Sequence, residues 1–179
     1  MIPSPAMWPM LPRPLSPHTG AVTDLRLPLP GGGLLALRVA LLCLDGGRLL
    51  TCWDHRYPDF PALPGGAVQA GESSEAAARR EWHEETGLGA GEVQLAGVVE
   101  NFFDWEGAPA HELGFYYRIS PSTLPAAPCP VRDNPHVELR WLPLHDLPAH
   151  TVYPLCLPEL LRVPPGEVRH FVVDERGAK

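Results

Sequence analysis

No run of lysine or arginine occurs anywhere in this chain, and 14 basic residues face 21 acidic ones for a formal charge of −7. The lack of a basic patch excludes non-specific binding to a nucleic-acid polymer or an anionic membrane. No apolar stretch approaches the length of a bilayer span, and residues 34–44 are interrupted by Arg38. There is no C-x-x-C pair. Cys43, Cys52, Cys129 and Cys156 lie far apart, a spacing that suits neither a zinc site nor a disulfide framework and leads us to expect reduced thiols and a cytoplasmic protein. Two of the four fall in apolar, strand-like segments, where a free cysteine behaves as a small apolar side chain. The N-terminus lacks the charged-then-apolar order of a signal peptide. Internal repeats and a second domain are not detected.

What remains is enough for one domain: 179 residues, 45% of them hydrophobic, build a substantial core. Residues 1–20 contain six prolines, which preclude a helix and favour extended chain. We expect a flexible proline-rich arm over residues 1–20 and a single domain over residues 21–179. Apolar Trp8 and Met10 also permit a docking role for that arm. Val22–Leu29 reads as an edge strand, Leu34–Leu44 as a central one. Asp45-Gly46-Gly47 is a hairpin turn into Arg48–Trp53. Ser73 or Ser74 is placed to cap a helix that Gly87 ends. Val93–Asn101 and His111–Ser120 are two further strands around a loop over residues 102–110. The proline-rich segment 121–135 reads as a surface loop and Val137–Leu142 as a strand. Leu155–Arg162 is a second helix if it starts at Pro158, and Arg169–Val173 either closes the sheet or trails off. Strands around a central helix with a late second helix predict an α/β layered sandwich.

The informative stretch is Gly66 to Leu88. Glu81, Glu84 and Glu85 stand at i, i+3 and i+4, so a helix projects all three from one face. Like charges at that spacing repel. A cation would relieve them, and hard oxygen ligands suit Mg²⁺, Mn²⁺ or Ca²⁺. Gly65 and Gly66 precede them in a turn that lets backbone approach a ligand closely. From Gly66 the pattern is G-x5-E-x7-R-E-U-x-E-E-x-G-U, with U an apolar residue and the fixed positions Gly66, Glu72, Arg80, Glu81, Glu84, Glu85 and Gly87. At about 7% usage per residue type, seven such matches arise by chance at roughly 10⁻⁸ per start position. An isolated E-x-x-E-E is usually a solvated surface helix; this full spacing is not.

The pattern resembles the signature of the Nudix (MutT-like) hydrolases, departing only in Trp82, where that family more often carries Ile, Leu or Val. The resemblance is specific over 23 residues and diffuse elsewhere. It implies an α/β/α sandwich with a mixed sheet and a Mg²⁺-dependent hydrolase, Mn²⁺ substituting, that cuts the pyrophosphate of a nucleoside diphosphate derivative by water attack on phosphorus. By the family pattern Glu81 and Glu85 are leading metal ligands, Glu84 is a ligand or orients water, and the Gly66 carbonyl completes the set. Arg80 is placed to meet both Glu84 and Glu72 and to fix the carboxylates. The resemblance implies a small nucleotide-type partner and leaves a homodimer open. A nucleotide-sensing module without catalysis is the alternative; three intact glutamates count against it.

Outside the motif the reading is thinner. Glu100, Asp104, Glu106 and Glu112 are distal candidates for general base, Glu112 first because it starts a strand just after a loop. Arg56 is a candidate phosphate contact. Phe102, Phe103 and Trp105 are candidate base-stacking residues, with Trp105 favoured as a loop residue between two acids. Either of Tyr116 and Tyr117 is expected to point to the core. Markers that separate substrate subclasses are not met, so the substrate stays open.

Overall fold

The computed structural model describes residues 23–56, 58–105 and 107–176; the arm expected over residues 1–20 lies outside them. In chain order the elements are β1 (Arg26–Pro28), β2 (Leu34–Asp45), β3 (Arg48–Asp54), α1 (Ser74–Thr86), β4 (Glu92–Trp105) and β5 (Ala108–Ser120). They continue as β6 (Cys129–Val131), β7 (Asn134–Pro143), α2 (Leu157–Leu161) and β8 (Arg169–Asp174). No described helix is long and apolar enough to cross a membrane.

The β2–β3 hairpin is where two halves of the sheet meet. Strands β2 and β3 pair only at Leu44–Leu49 and Asp45–Arg48 before they part. On one side β2 carries β1 antiparallel and β5 parallel, then β4 antiparallel to β5 and β8 parallel to β4. On the other, β3, β7 and β6 form an antiparallel set. The result is the mixed sheet that the family resemblance implied.

The gap between the parting strands is filled by residues 62–69, stitched in through the backbone. Leu41 and Val39 donate to Pro64 and Gly66 carbonyls at 2.9 Å each, and Val68 donates to Leu37 at 3.0 Å. Across the gap, Ala62 and Cys52 exchange bonds of 2.8 and 2.9 Å. Gly65 has to be glycine here: its φ is +133°, and a Cβ would lie 2.3 Å from the Val39 carbonyl oxygen.

Period-two alternation assigns the strand side chains to two cores. Val39, Leu41, Cys43, Tyr117 and Ile119 face α1, meeting Ala77, Ala78 and Trp82. Ala40, Leu42, Val99 and Tyr116 face α2, meeting Leu157 and Leu160. Both tyrosines are therefore buried, on opposite faces, and Tyr117 Oη lies 2.7 Å from Ser74 Oγ on α1. Cys43 and Cys52 are buried apolar fillers as expected, and all four cysteines are free.

Three expectations need correction, and one alternative left open is decided. Segment 102–110 is not a loop: β4 continues to Trp105, β5 begins at Ala108, and the register runs from Phe102–His111 to Trp105–Ala108. Acidic residues and proline hid the alternation of that hairpin. Segment 121–135 holds β6, which Pro130 enters as an edge strand, a place where a missing N–H costs nothing. Strand β1 has three residues, fewer than expected. Residues 169–174 close the sheet, against β4.

Candidate active site

Helix α1 begins and ends where the sequence predicts. Ser73 is the N-cap, its side chain accepting from the Ala76 N–H at 3.1 Å, and Glu75 complements the dipole of the first turn. Gly87 closes the helix in the left-handed conformation, φ 76°, with its N–H on the His83 carbonyl at 2.8 Å. Ala77, Ala78 and Trp82 are fully buried and anchor the helix to the sheet. Trp82 therefore serves the core in place of a smaller apolar residue, although its indole N–H has no partner among the described residues.

With that face anchored, Arg80 and the glutamates come to the glycine loop. Arg80 Nε and Nη2 hold the two Glu72 oxygens at 2.9 and 3.0 Å, and Nη2 also reaches the Ala67 carbonyl at 2.9 Å. Nη1 is shared by Glu81 at 2.6 Å and Glu84 at 3.0 Å. The Gln69 N–H donates to Glu72 as well, at 3.0 Å. One guanidinium thus ties three acids and the loop backbone together. Burial works against the Arg80 charge, but its bonds to Glu72 and Glu81 hold its pKa above the ordinary value. The same bonds hold Glu72 below the usual carboxylate range.

Glu81 and Glu85 are in the opposite condition. Burial pushes the Glu81 carboxyl up, with Arg80 opposing. Glu85 is 5% exposed and is raised further, by burial and by the charge of Glu81, although it accepts the Gly65 N–H at 3.1 Å. Glu84 is the exposed member at 44%. A Cβ on Gly66 would lie 2.4–2.6 Å from the Glu81 carboxylate atoms, so the bare α-carbon is the space that this carboxylate uses. The Gly66 carbonyl accepts from Val39 and keeps a second lone pair.

Among the described residues no three His, Cys, Asp or Glu side chains gather about one point, because Glu81 and Glu84 turn to Arg80 while Glu85 turns to Gly65. The donor set nevertheless suits a hard divalent cation. It is all oxygen, its half-buried Glu81 raises the proton affinity of buried Glu85, and the glycine leaves room for the Glu81 carboxylate.

Two residues missed in the sequence adjoin this cluster. Arg38, 6% exposed, lies close enough for its charge to favour the ionised forms of Glu81, Glu85 and Glu112. Arg26, on β1, joins it in a narrow crevice lined also by Ala36, Leu37, Ala67 and Glu112. The signal was present in Arg38, a charge inside an otherwise apolar strand.

Of the described distal acids, Glu112 alone is turned to this crevice. It is 1% exposed and lies mid-sheet on β5, not at a strand start. Glu100 is on the opposite face, with His170 Nε2 at 2.8 Å, and Asp104 is exposed on that same face. Glu106 lies outside the described residues. The aromatic trio is divided by the hairpin. Phe102 faces away from Glu112, stacked on His111 at 4.2 Å between centroids and beneath Arg176 at 4.8 Å. Phe103, 1% exposed, and half-buried Trp105 share the face of Glu112. Arg56 is committed to Asp54, with Nε at 2.9 and 3.1 Å and Nη2 at 2.5 Å from its carboxylate.

A mixed sheet between helices, with a glycine loop and a glutamate helix set into its parting strands, is the architecture of one hydrolase class. The family model described as the NUDIX domain matches residues 34–160, and the chain belongs to that family, the Nudix hydrolases. It is similar in structure to the MutT protein from Bacillus halodurans, with 17% identity and a TM-score of 0.61 over 78% of this chain and 90% of that one. The MutT NUDIX hydrolase from Burkholderia pseudomallei is 27% identical, with a TM-score of 0.58 over 73% of this chain and 98% of that one. No curated protein matches the sequence.

The Arg80 network makes a first prediction. Arg80→Ala releases three acids from one another's company without opening a core cavity, so activity falls by about 10–100-fold while the urea midpoint moves little. Arg80→Lys does not restore it, because an ammonium cannot reproduce the fork that serves Glu72, Glu81 and Glu84 together. Steady-state rates and urea titrations of both variants check this.

Proposed function

We propose that this Nudix hydrolase cleaves the pyrophosphate linkage of a nucleoside diphosphate derivative, using Mg²⁺, or Mn²⁺ in its place. The observation that carries the reading is the fit of the Glu81 carboxylate over the bare α-carbon of Gly66, beside buried Glu85. Glu81 and Glu85 would hold the cation, with Glu84 and the Gly66 carbonyl as the remaining donors. A cation held there would neutralise phosphate charge and lower the pKa of a water.

The chain's own residues supply the rest. Glu72 fixes Arg80, and Arg80 fixes Glu81 and Glu84. Glu84, the exposed acid of the set, is best placed to take a proton from the attacking water. Arg38 and Arg26 replace Arg56 as the phosphate contacts we favour, since they lie beside the acids in the crevice while Arg56 is bound to Asp54. A net acidic protein needs such a local reversal of field to accept a polyphosphate.

The test is a panel of nucleoside triphosphates, nucleotide sugars, ADP-ribose and dinucleoside polyphosphates, each with Mg²⁺ and with Mn²⁺. The expected result is metal-dependent cleavage between two phosphorus atoms, with ¹⁸O from water in one product. If no compound is cut under either metal, the sensing-module reading replaces this one.

A further inference from the structure

The face of the sheet that carries Arg26, Arg38 and Glu112 holds a second feature that the hydrolytic residues do not use. Asn101 on β4 is the register partner of Glu112 on β5, and Glu112 is in turn the register partner of Ala36 on β2. Direct partners across a ladder point to the same face, with Cβ atoms about 5 Å apart. Asn101 is 2% exposed and Glu112 1%. Neither Asn101 Nδ2 and Oδ1 nor Glu112 Oε1 and Oε2 has a hydrogen-bond partner among the described residues, and these are four of the eight buried side-chain atoms in that condition. A fifth is Glu175 Oε1, from the residue just after β8. Each such atom is costly to bury, more so if charged, unless something arrives to bond it. Their concentration in one place points to a ligand.

We propose that Glu112 and Asn101 form the pocket that selects the substrate: the Glu112 carboxylate takes two adjacent N–H or O–H donors of the nucleoside, and the Asn101 amide bonds the group beside them. The proposal rests on the reading that the substrate is a nucleotide. Two parts of a nucleoside offer paired donors. One is the amidine edge of a guanine-type base, a ring N–H beside an exocyclic amine; the other is the vicinal diol of ribose.

Position and charge agree with this assignment. The carboxylate cluster meets the sheet at β2, through Gly66 and Val39. Glu112 is one strand further and Asn101 two, about 10 Å at ordinary strand spacing. Arg38 on β2 and Arg26 on β1 line the same crevice as Glu112, where a phosphate chain would run from the metal ligands towards the nucleoside. Burial pushes the Glu112 carboxyl up, and the charges of Arg38 and Arg26 oppose it. Phe103 and Trp105 lie on the same face one and two alternate positions beyond Asn101, and extend that face with apolar rings. Glu112 is therefore better placed to grip the substrate than to activate water beside Glu81.

Binding of nucleoside monophosphates to the full-length protein in EDTA tests this without any turnover. Calorimetric titrations compare GMP, IMP, which lacks the exocyclic amine, and dGMP, which lacks the 2′-hydroxyl. We expect wild type to lose about 10–100-fold in affinity for one of the two analogues, IMP if the base is gripped and dGMP if the ribose is. Glu112→Gln, of the same shape, should erase that preference, and Asn101→Leu should weaken GMP by about 10-fold or more. Circular dichroism melts show whether each variant is folded, and the preference of Asn101→Ser stands in for either that is not. Equal binding of all three ligands by wild type, or an unchanged preference in Glu112→Gln, overturns the proposal while leaving the hydrolase reading intact. Failure of every monophosphate to bind, with metal-dependent cleavage still present, also overturns it. If the cleavage panel fails but the preference is found, the hydrolase reading falls and the pocket stands.

Discussion

Glu85→Gln should lose more than about 100-fold in turnover and lose nothing in stability measured in EDTA. Mutation of groups that merely orient a metal ligand costs about 10–100-fold, and Glu85 is assigned as a ligand itself. Glutamine keeps the length, the shape and an oxygen to accept the Gly65 N–H, so the anchor of the loop survives. It removes a charge that is 5% exposed and stands against Glu81. Burying an unneutralised carboxylate is costly, so the variant should melt at or above the wild-type temperature when no cation is present. Excess Mg²⁺ should then raise the wild-type midpoint by mass action and leave the variant where it was. Near-wild-type Mg²⁺-dependent hydrolysis by Glu85→Gln would remove the metal assignment at its centre.

The second large effect distinguishes two adjacent glycines. Gly66→Ala puts a methyl group 2.4–2.6 Å from the Glu81 carboxylate. That carboxylate is the far end of a flexible side chain and can swing aside, so the fold should survive and the activity should not, falling by more than about 100-fold on the same scale. Gly65→Ala meets backbone instead, 2.3 Å from the Val39 carbonyl oxygen, at φ +133°. Nothing there can move without parting residues 62–69 from β2, and the loss should be of stability, about 2 kcal/mol or more. Urea titration and turnover of the two variants, side by side, check the contrast. A stable, active Gly66→Ala would show that Glu81 does not need the space over that residue.

The motif was legible in the sequence because its chemistry is local. Ser73 and Gly87 bound the helix, Glu81, Glu84 and Glu85 share a face by arithmetic, and Arg80 reaches Glu72 and Glu84 as its spacing implied. The wall opposite was not legible. Glu112, Asn101 and Arg38 come together only through the register of β2, β5 and β4, and β2 and β5 are more than sixty residues apart along the chain. No window of sequence contains that row. The division of the aromatic trio was hidden for a related reason: residues 102–110 form a hairpin, and its alternation separates Phe102 from Phe103 and Trp105. Arg38 and Asn101 each leave a trace in the sequence, a polar residue inside an apolar strand.

The stitching of residues 62–69 into the gap between β2 and β3 has a consequence for motion. A glycine-rich segment is ordinarily where a protein opens first. Here its carbonyls hold the amides of Val39 and Leu41, in the most buried stretch of the sheet. The glycine loop cannot breathe on its own; the amides that report its opening belong to the core. The acids proposed to hold a cation are thus mounted on a segment that opens only together with the core of the sheet, and Leu25, just before β1, donates to the Val68 carbonyl of that same segment.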